Sequence, residues 1–277
     1  MNIKKNIFAV FAVITMAISA APALSAGGGG KHAELQKWSF GGVFGTYDTN
    51  QLQRGFQVFY EVCSSCHGAK LISFRNFAEA GGPEFSKDQV KALAAEYTIL
   101  DAELEEGERT ATPADRWPSP FETELEAREA NNGAFPPDFS VLAKARNLPK
   151  KFPMNFYDMA TAYQEGGADY IYNLLVSYED EPPHGVEIGD GQSYNAFFGG
   201  GLSMMSPLME ELVEYEDTTI PLTVEQYAKD VSAFMYWMAD PHLVQRKTIG
   251  LKVLIFLSIL ALLMYLVKRK IWAGVKH

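Results

Sequence analysis

Residues 62–68 read V-C-S-S-C-H-G, and Cys63 and Cys66 are the only cysteines in 277 residues. They follow an N-terminal stretch with the three parts of an export leader: Lys4 and Lys5, an apolar run from Ile7 to Ile18, and the small-residue segment A-P-A-L-S-A ending at Ala26. In an exported domain the first reading of two cysteines is a structural disulfide. A two-residue gap closes so small a loop, however, that it would constrain the unfolded chain little. Exchange-active C-x-x-C pairs belong near a strand–helix turn that the residues around 63 do not supply. A zinc site would need a second C-x-x-C or an H-x-x-x-H, and neither is present. His67 decides the matter, because C-x-x-C-H is the attachment signature of c-type haem: two thiols add to the vinyl groups, and the adjacent imidazole binds the iron. Cys63 and Cys66 are therefore read as the thioether anchors of one covalent haem c, and His67 as the first axial ligand. Leu52, Phe56 and Phe59 recur at helical spacing, so an amphipathic helix is expected to carry the chain into the signature.

The chain is 47% apolar and 21% charged, enough to bury a sizeable core. From Thr248 to Val267 it reads T-I-G-L-K-V-L-I-F-L-S-I-L-A-L-L-M-Y-L-V, which as a helix would cover roughly 30 Å, the thickness of the hydrocarbon layer. Lys252 lies about one turn in, where its stem can snorkel to the headgroups. Lys268, Arg269 and Lys270 follow as a cytoplasmic anchor with Trp272 at the interface, although Arg246 and Lys247 weaken the charge bias from the other side. The expected division is a removed leader at 1–26, a periplasmic haem domain at 27–245, a transmembrane helix at 246–270 and a cytoplasmic tail at 271–277. Losing the two leader lysines makes the formal charge of −10 more negative by two, which argues against nucleic acid as a partner. The acids cluster at Asp101 to Glu108, Glu122 to Glu129, Glu179 to Glu181 and Glu210 to Asp217, a field suited to steering a basic partner.

Function turns on the other face of the iron. A thioether there closes the site and makes an electron carrier, whereas an open position permits ligand binding or peroxide chemistry. Of the remaining histidines only His184, in E-P-P-H-G, competes. Met154, Met159, Met235 and Met238 lie in apolar or helical contexts that suit core packing. The stretch 194–208, Y-N-A-F-F-G-G-G-L-S-M-M-S-P-L, differs: its glycines would let backbone approach a flat cofactor, Phe197 and Phe198 supply apolar walls, and Pro207 fixes the chain after the sulfur pair. Met204 or Met205 is the axial candidate, and spacing alone does not choose between them.

These residues resemble the cytochrome c1 family, the haem-bearing subunit of the cytochrome bc1 complex, in its bacterial form. The likeness is carried by Q-R-G-F-Q-V-F-Y-E-V-C-S-S-C-H-G at 53–68, A-N-N-G-A-F-P-P-D-F-S at 130–140, A-D-Y-I-Y-N-L-L-V-S-Y at 168–178, the stretch 194–208, A-K-D-V-S-A-F at 228–234, and the span closed by K-R-K-I-W. The family's M-x-P pattern falls on Met205-Ser206-Pro207 and so implies Met205 rather than Met204. By the same carry-over Pro137 would sit against the proximal histidine, Arg146 would pair with a haem propionate, and Asn131 and Tyr170 would lie near the propionates. The implied fold is mainly α: a c-type cytochrome core with insertions plus one C-terminal transmembrane helix. The implied role is that of a subunit of quinol–cytochrome c oxidoreductase that carries electrons and is not a catalyst on its own. It would relay single electrons from the Rieske iron-sulfur protein to a soluble or membrane-anchored cytochrome c. The setting would be respiratory or photosynthetic electron transport coupled to proton translocation, beside cytochrome b in a homodimeric complex of the bacterial inner membrane. No quinone site is read in this chain. The segment 147–165 is longer than in mitochondrial members, and no cysteine remains for the disulfide that some bacterial relatives hold.

Two rival readings remain at this point: an independent membrane-tethered carrier, and a haem enzyme or gas sensor with an open sixth position. Further along, Thr223-x-x-Gln226 reads as a capping box opening a helix with an apolar stripe that Asp240-Pro241 ends. The acidic, Pro-containing segment from about 100 to 121 reads as a surface insertion.

Overall fold

The computed structural model describes residues 30–101, 107–148, 153, 155–156 and 166–274. The leader, most of the 147–165 segment and the last three residues of the tail lie outside the described residues.

The architecture is mainly helical. Helix α1 (Thr49–Val58) is capped by Asp48, whose carboxylate accepts from the Gln51 amide at 3.1 Å. A 3-10 turn at Phe74–Ala78 follows, then α2 (Lys87–Ala95), whose N-terminus is closed reciprocally by Ser86 and Gln89. Strands β1 (Thr98–Leu100) and β2 (Glu108–Thr110) pair antiparallel, and two short helices, α3 (Glu124–Ala130) and α4 (Leu142–Ala145), come next. Helix α5 (Gly166–Val176), the antiparallel hairpin β3 (Ser193–Asn195) and β4 (Gly200–Leu202), α6 (Val224–Ala239) and α7 (Leu243–Trp272) complete the chain.

The core forms where α1 crosses α6. Gly55 makes the crossing close: a Cβ there would collide with the carbonyl oxygen of Asp230 and lie 2.7 Å from Phe234 Cβ. At the same crossing the fully buried Asp230 carboxylate accepts from Arg54 Nε at 2.9 Å, Gln51 Nε2 at 3.2 Å, Gln226 Nε2 at 2.9 Å and the Tyr215 hydroxyl at 3.1 Å. A buried charge is tolerated when its lone pairs are taken up in this way. This carboxylate also explains why the capping box at Thr223 is only half made. Thr223 Oγ1 does accept from the Gln226 amide at 3.3 Å, but the Gln226 side chain is drawn forward to Asp230 instead of back to Thr223. Asp240 ends α6 as expected.

Around the crossing lies an aromatic cluster of Phe56, Phe59, Phe74, Phe77, Phe234 and Trp237, with Trp117 at its centre. Trp117 corrects the reading of 100–121 as a surface insertion. The β1–β2 hairpin is at the surface, but the return strand is tied in by the Trp117 amide bond to Ile72 O at 2.8 Å, and the indole is fully buried. The acidic hairpin thus ends in an aromatic side chain large enough to pull the segment into the core.

Helix α7 has 30 residues and contains an exposed apolar stretch long enough to cross a membrane. It is longer than the twenty-residue apolar run at both ends. Its first turn is docked on the rest of the fold, with Leu243 buried, and the basic residues of its last turn remain helical.

Candidate haem site

The approach to the cysteines departs from a plain α-helix. After Val58 the chain widens into a π-helical turn, Phe59–Cys63, closed by the Ser64 amide on Phe59 O at 2.8 Å. The amides of Cys66 and His67 then both bond to Cys63 O, at 3.1 and 2.9 Å. The extra residue in the turn re-aims the chain and gathers both sulfurs and the imidazole within one compact loop, a use to which π-turns are often put. Both thiols are free and partly buried. Burial, with the neighbouring Cys66 thiol, pushes the Cys63 thiol up to about 12, so it stays protonated at neutral pH.

His67 is buried, and its Nδ1–H donates to the carbonyl of Pro137 at 2.8 Å. That bond fixes the tautomer and leaves the Nε2 lone pair for a metal. The ring stacks on Phe139 with centroids 4.1 Å apart and planes at 23°. Burial lowers its pKa, opposed by the Pro137 carbonyl and the Asp138 charge, which keeps the imidazole in the neutral form that ligates. The 68–71 and 138–140 segments are laced together around it. Phe139 N donates to Gly68 O at 2.8 Å, Lys70 N to Asp138 Oδ2 at 3.0 Å and Leu71 N to Ser140 Oγ at 3.0 Å.

The methionine stretch is built on the β3–β4 hairpin. Gly199 takes a positive φ of 76° in the turn, and at Gly201 a Cβ would lie 3.0 Å from Ile188 Cβ and run into the Gln192 side chain. These two glycines thus have work within the hairpin itself. The hairpin is pinned to the end of α5: Asn195 Nδ2 donates to Leu174 O at 2.8 Å, Ala196 N to Ser177 O at 2.8 Å, and the Tyr178 hydroxyl to Met204 O at 3.1 Å. With the Met204 backbone held, the Met205 side chain projects, 72% exposed. Met235 and Met238 are buried in α6, as their context suggested, and His184 is exposed on its loop. Met209 was not singled out from the sequence and is also exposed, at 61%.

The outer residues separate into two groups. Pro137 touches His67 directly, and Tyr170 on α5 meets Phe197 of the methionine stretch edge-on, centroids 5.3 Å apart. Asn131 closes α3 by donating to Ala127 O at 2.7 Å, and Arg146 is exposed at the end of α4. Neither bonds to His67 or to the methionine stretch. Sequence reasoning missed Phe139 and Tyr178, each inside a quoted motif. The stacking of Phe139 and the hydroxyl bond of Tyr178 depend on a fold that brings segments about 70 and 26 residues apart together.

The donor set of two thiols, a neutral imidazole with Nε2 free and a projecting thioether suits a covalently held c-type haem. The Cytochrome C1 family profile matches residues 38–275. The chain belongs to the cytochrome c1 family. It is similar to the cytochrome c1 of Blastochloris viridis, with 43% identity over 282 residues covering 100% of this chain and 99% of that one. It is 41% identical over 261 residues to a protein of Candida albicans named cytochrome b-c1 complex catalytic subunit, mitochondrial, covering 93% of this chain and 83% of that one. It is also 48% identical over 241 residues to the cytochrome b/c1 of Bradyrhizobium diazoefficiens, where the match covers 86% of this chain but only 35% of that longer protein. Membership in the cytochrome c1 family brings with it a covalent c-type haem and a part in electron transport, and it agrees with the mainly helical fold and the C-terminal membrane helix.

Proposed function

We propose that this chain is the haem subunit of a cytochrome bc1 complex and relays single electrons from a Rieske iron-sulfur protein to a soluble or anchored cytochrome c. The observation that carries the reading is His67, with its Nδ1–H committed to Pro137 O, the Cys66 thiol on the preceding residue and the Cys63 thiol one turn back. When bound, one haem c supplies a one-electron iron couple. Cys63 and Cys66 would hold it by thioethers, and His67 and Met205, with Met204 as the fallback, would be its iron ligands. Pro137 keeps the imidazole in its ligating tautomer. Arg146, Asn131 and Tyr170 are assigned to the propionate side on the family's pattern alone.

The acidic surface is assigned to the partners. The acidic residues of 122–129, 179–181 and 210–217 are exposed, which supports steering of a basic cytochrome c. The name of the Candida relative sets that protein in a b-c1 complex, and that of the Bradyrhizobium relative joins b and c1. On that footing cytochrome b is assigned as a neighbour here; the iron-sulfur protein and the homodimer are assigned on the family resemblance alone, with the haem domain at 27–245 in the periplasm and the tail at 271–277 in the cytoplasm. In this assembly the chain is an electron carrier that binds no quinone.

The test is a mild-detergent pull-down of the chain, tagged at its C-terminus, from its native membrane. Co-purification of b-type haem and an iron-sulfur protein, with quinol reducing a c-type cytochrome, is the expected result. A chain that arrives alone with c-type haem only would make it a tethered carrier. Carbon monoxide binding to the reduced protein at neutral pH would refute the closed His–Met site.

A further inference from the structure

The apolar run of α7 starts at Thr248, and the two residues before it are turned back onto the haem domain. Arg246 Nη2 pairs with Asp240 Oδ2 at 2.5 Å, and the same oxygen takes Lys144 Nζ at 2.6 Å. Lys247 Nζ donates to the carbonyls of Phe40 at 2.7 Å and Gly42 at 2.6 Å, and reaches Gly45 at 3.3 Å. Those three carbonyls belong to one tight loop, closed by Gly41 N on Trp38 O at 3.0 Å, Gly45 N on Gly42 O at 3.3 Å and Thr46 N on Ser39 O at 3.1 Å.

The loop is anchored at both ends. Phe40 is buried between Tyr236 and Trp38, with ring centroids at 4.6 and 5.4 Å, and the buried Tyr47 donates its hydroxyl to Asp240 O at 3.1 Å. Its tip is the reverse: Val43 is 50% exposed and Phe44 78%. Residues 41–45, G-G-V-F-G, carry no charge and no side-chain hydrogen-bonding group. A rigid loop that buries its ends and presents two bulky apolar side chains calls for an apolar partner.

The position along α7 indicates which partner. Lys247 is one residue from the start of the apolar run, a rise of about 1.5 Å, so the loop it holds lies at the level where hydrocarbon begins. We propose that the Gly41–Gly45 loop is a second membrane contact. Val43 and Phe44 enter the headgroup–acyl boundary of the bilayer that α7 crosses, and Lys247, by tying loop to helix, sets how the haem domain sits on the membrane. Residues 41–45 themselves supply no polar side chain for the rim that surrounds the apolar centre of a protein interface. Aromatic and aliphatic side chains beside a basic group are the usual furnishing of the lipid interface.

The proposal rests on the reading of α7 as a span, and the test separates the two. The full-length chain is made with p-benzoylphenylalanine at position 44, at Ser258 in the middle of α7, or at the exposed Leu125 on α3. Each form is irradiated in phosphatidylcholine–phosphatidylglycerol vesicles and in native membranes. Phospholipid adducts at 258 and 44 and none at 125 are expected. A lipid adduct at 258 without one at 44 overturns the loop contact while the span stands, and no lipid adduct at 258 in vesicles overturns both. A protein adduct at 44 in either membrane refutes lipid as the occupant. Lys247→Gln should reduce the yield at 44 severalfold with the yield at 258 unchanged, and an unaltered yield at 44 would remove Lys247 from the device.

Discussion

Gly55→Ala sets two effects of opposite sign against each other. Helix propensity alone favours alanine within α1 by about 0.8–1 kcal/mol. Packing opposes it, because the new Cβ would lie 2.7 Å from the Asp230 carbonyl carbon, 2.7 Å from Phe234 Cβ and closer still to the Asp230 oxygen. No rotamer relieves contacts with backbone and a Cβ, and carbon atoms rest about 3.5–4.0 Å apart, so α1 and α6 must separate by roughly 1 Å. Overpacking of this kind costs about 1–3 kcal/mol. The same movement stretches the bonds that cross from α1 to Asp230, which stand at 2.9 Å from Arg54 Nε, 3.2 Å from Arg54 Nη2 and 3.2 Å from Gln51. Loss of donors to a buried carboxylate adds about 1–3 kcal/mol. After the propensity gain the expected net loss is roughly 1–5 kcal/mol, which for a domain of this size lowers the melting midpoint by about 2–20 °C. Far-UV circular dichroism of the haem-loaded full chain in detergent reads the midpoint. The visible haem spectrum reads the site, which should loosen in parallel because α1 runs into the Cys63 turn. A midpoint at or above that of the wild type would refute the close-crossing argument.

Met205→Leu should lower the reduction potential by on the order of 0.1 V or more, within the roughly 0.8 V that axial ligands span, and should admit carbon monoxide. Met204→Leu should do neither, and the reverse pattern in a redox titration would reassign the ligand. Reversing the charges of Glu122, Glu126 and Glu129 should slow reduction of a basic cytochrome c roughly tenfold at low salt. The difference should fade as ionic strength approaches physiological values, where the Debye length is about 8 Å, and an effect indifferent to salt would refute steering. Asp115 is held well below the usual carboxylate range by Arg109, which it accepts from at 2.7 and 2.8 Å, and by Thr112. Because the folded state depresses this pKa, its stabilisation is complete above the ordinary carboxylate value near ~4 and is lost as pH falls through the depressed one. Asp115→Asn should therefore flatten the acid limb of the stability profile below about pH 4, and a limb of unchanged slope in acid titrations would count against the pair.

The parts of the fold legible in the sequence were those governed by local rules. The helix over Val224–Ala239 announced itself by its apolar stripe and by Asp240-Pro241, and the membrane helix by twenty nearly uncharged residues. Trp117 was misread because its neighbours are acidic and proline-rich. Local composition says surface, whereas the burial of one indole among Phe59, Phe74 and Phe77 is decided by residues about 40–60 positions away. The half-made cap at Thr223 failed for the same reason, since Gln226 answers to a buried carboxylate one turn on. At the site, Cys63, Cys66 and His67 could be read because their chemistry is packed into five positions. The bond that orients His67 could not, because a backbone carbonyl leaves no trace in the type of residue that carries it. Pro137 entered only through resemblance, and Phe139 and Tyr178 did not enter at all.

The charges flanking α7 show how a structure changes the weight of a sequence signal. Counted by sequence, Arg246 and Lys247 at one end nearly balance Lys268, Arg269 and Lys270 at the other, and the positive-inside rule gives little direction. In the fold, Arg246 is paired with Asp240, and the Lys247 ammonium is spent on the carbonyls of the Phe40–Gly45 loop. A pair or a carbonyl cage offsets the pull of a cation toward anionic lipid, so those two charges belong electrostatically to the haem domain. The three at the far end follow one another along the last turns of the helix, with Arg269 over the Tyr265 ring at 6.0 Å. They are the stronger pull toward the negative inner leaflet. That asymmetry supports the proposed cytoplasmic C-terminus independently of any leader, and with it the proposed placement of the rest of the fold across the membrane.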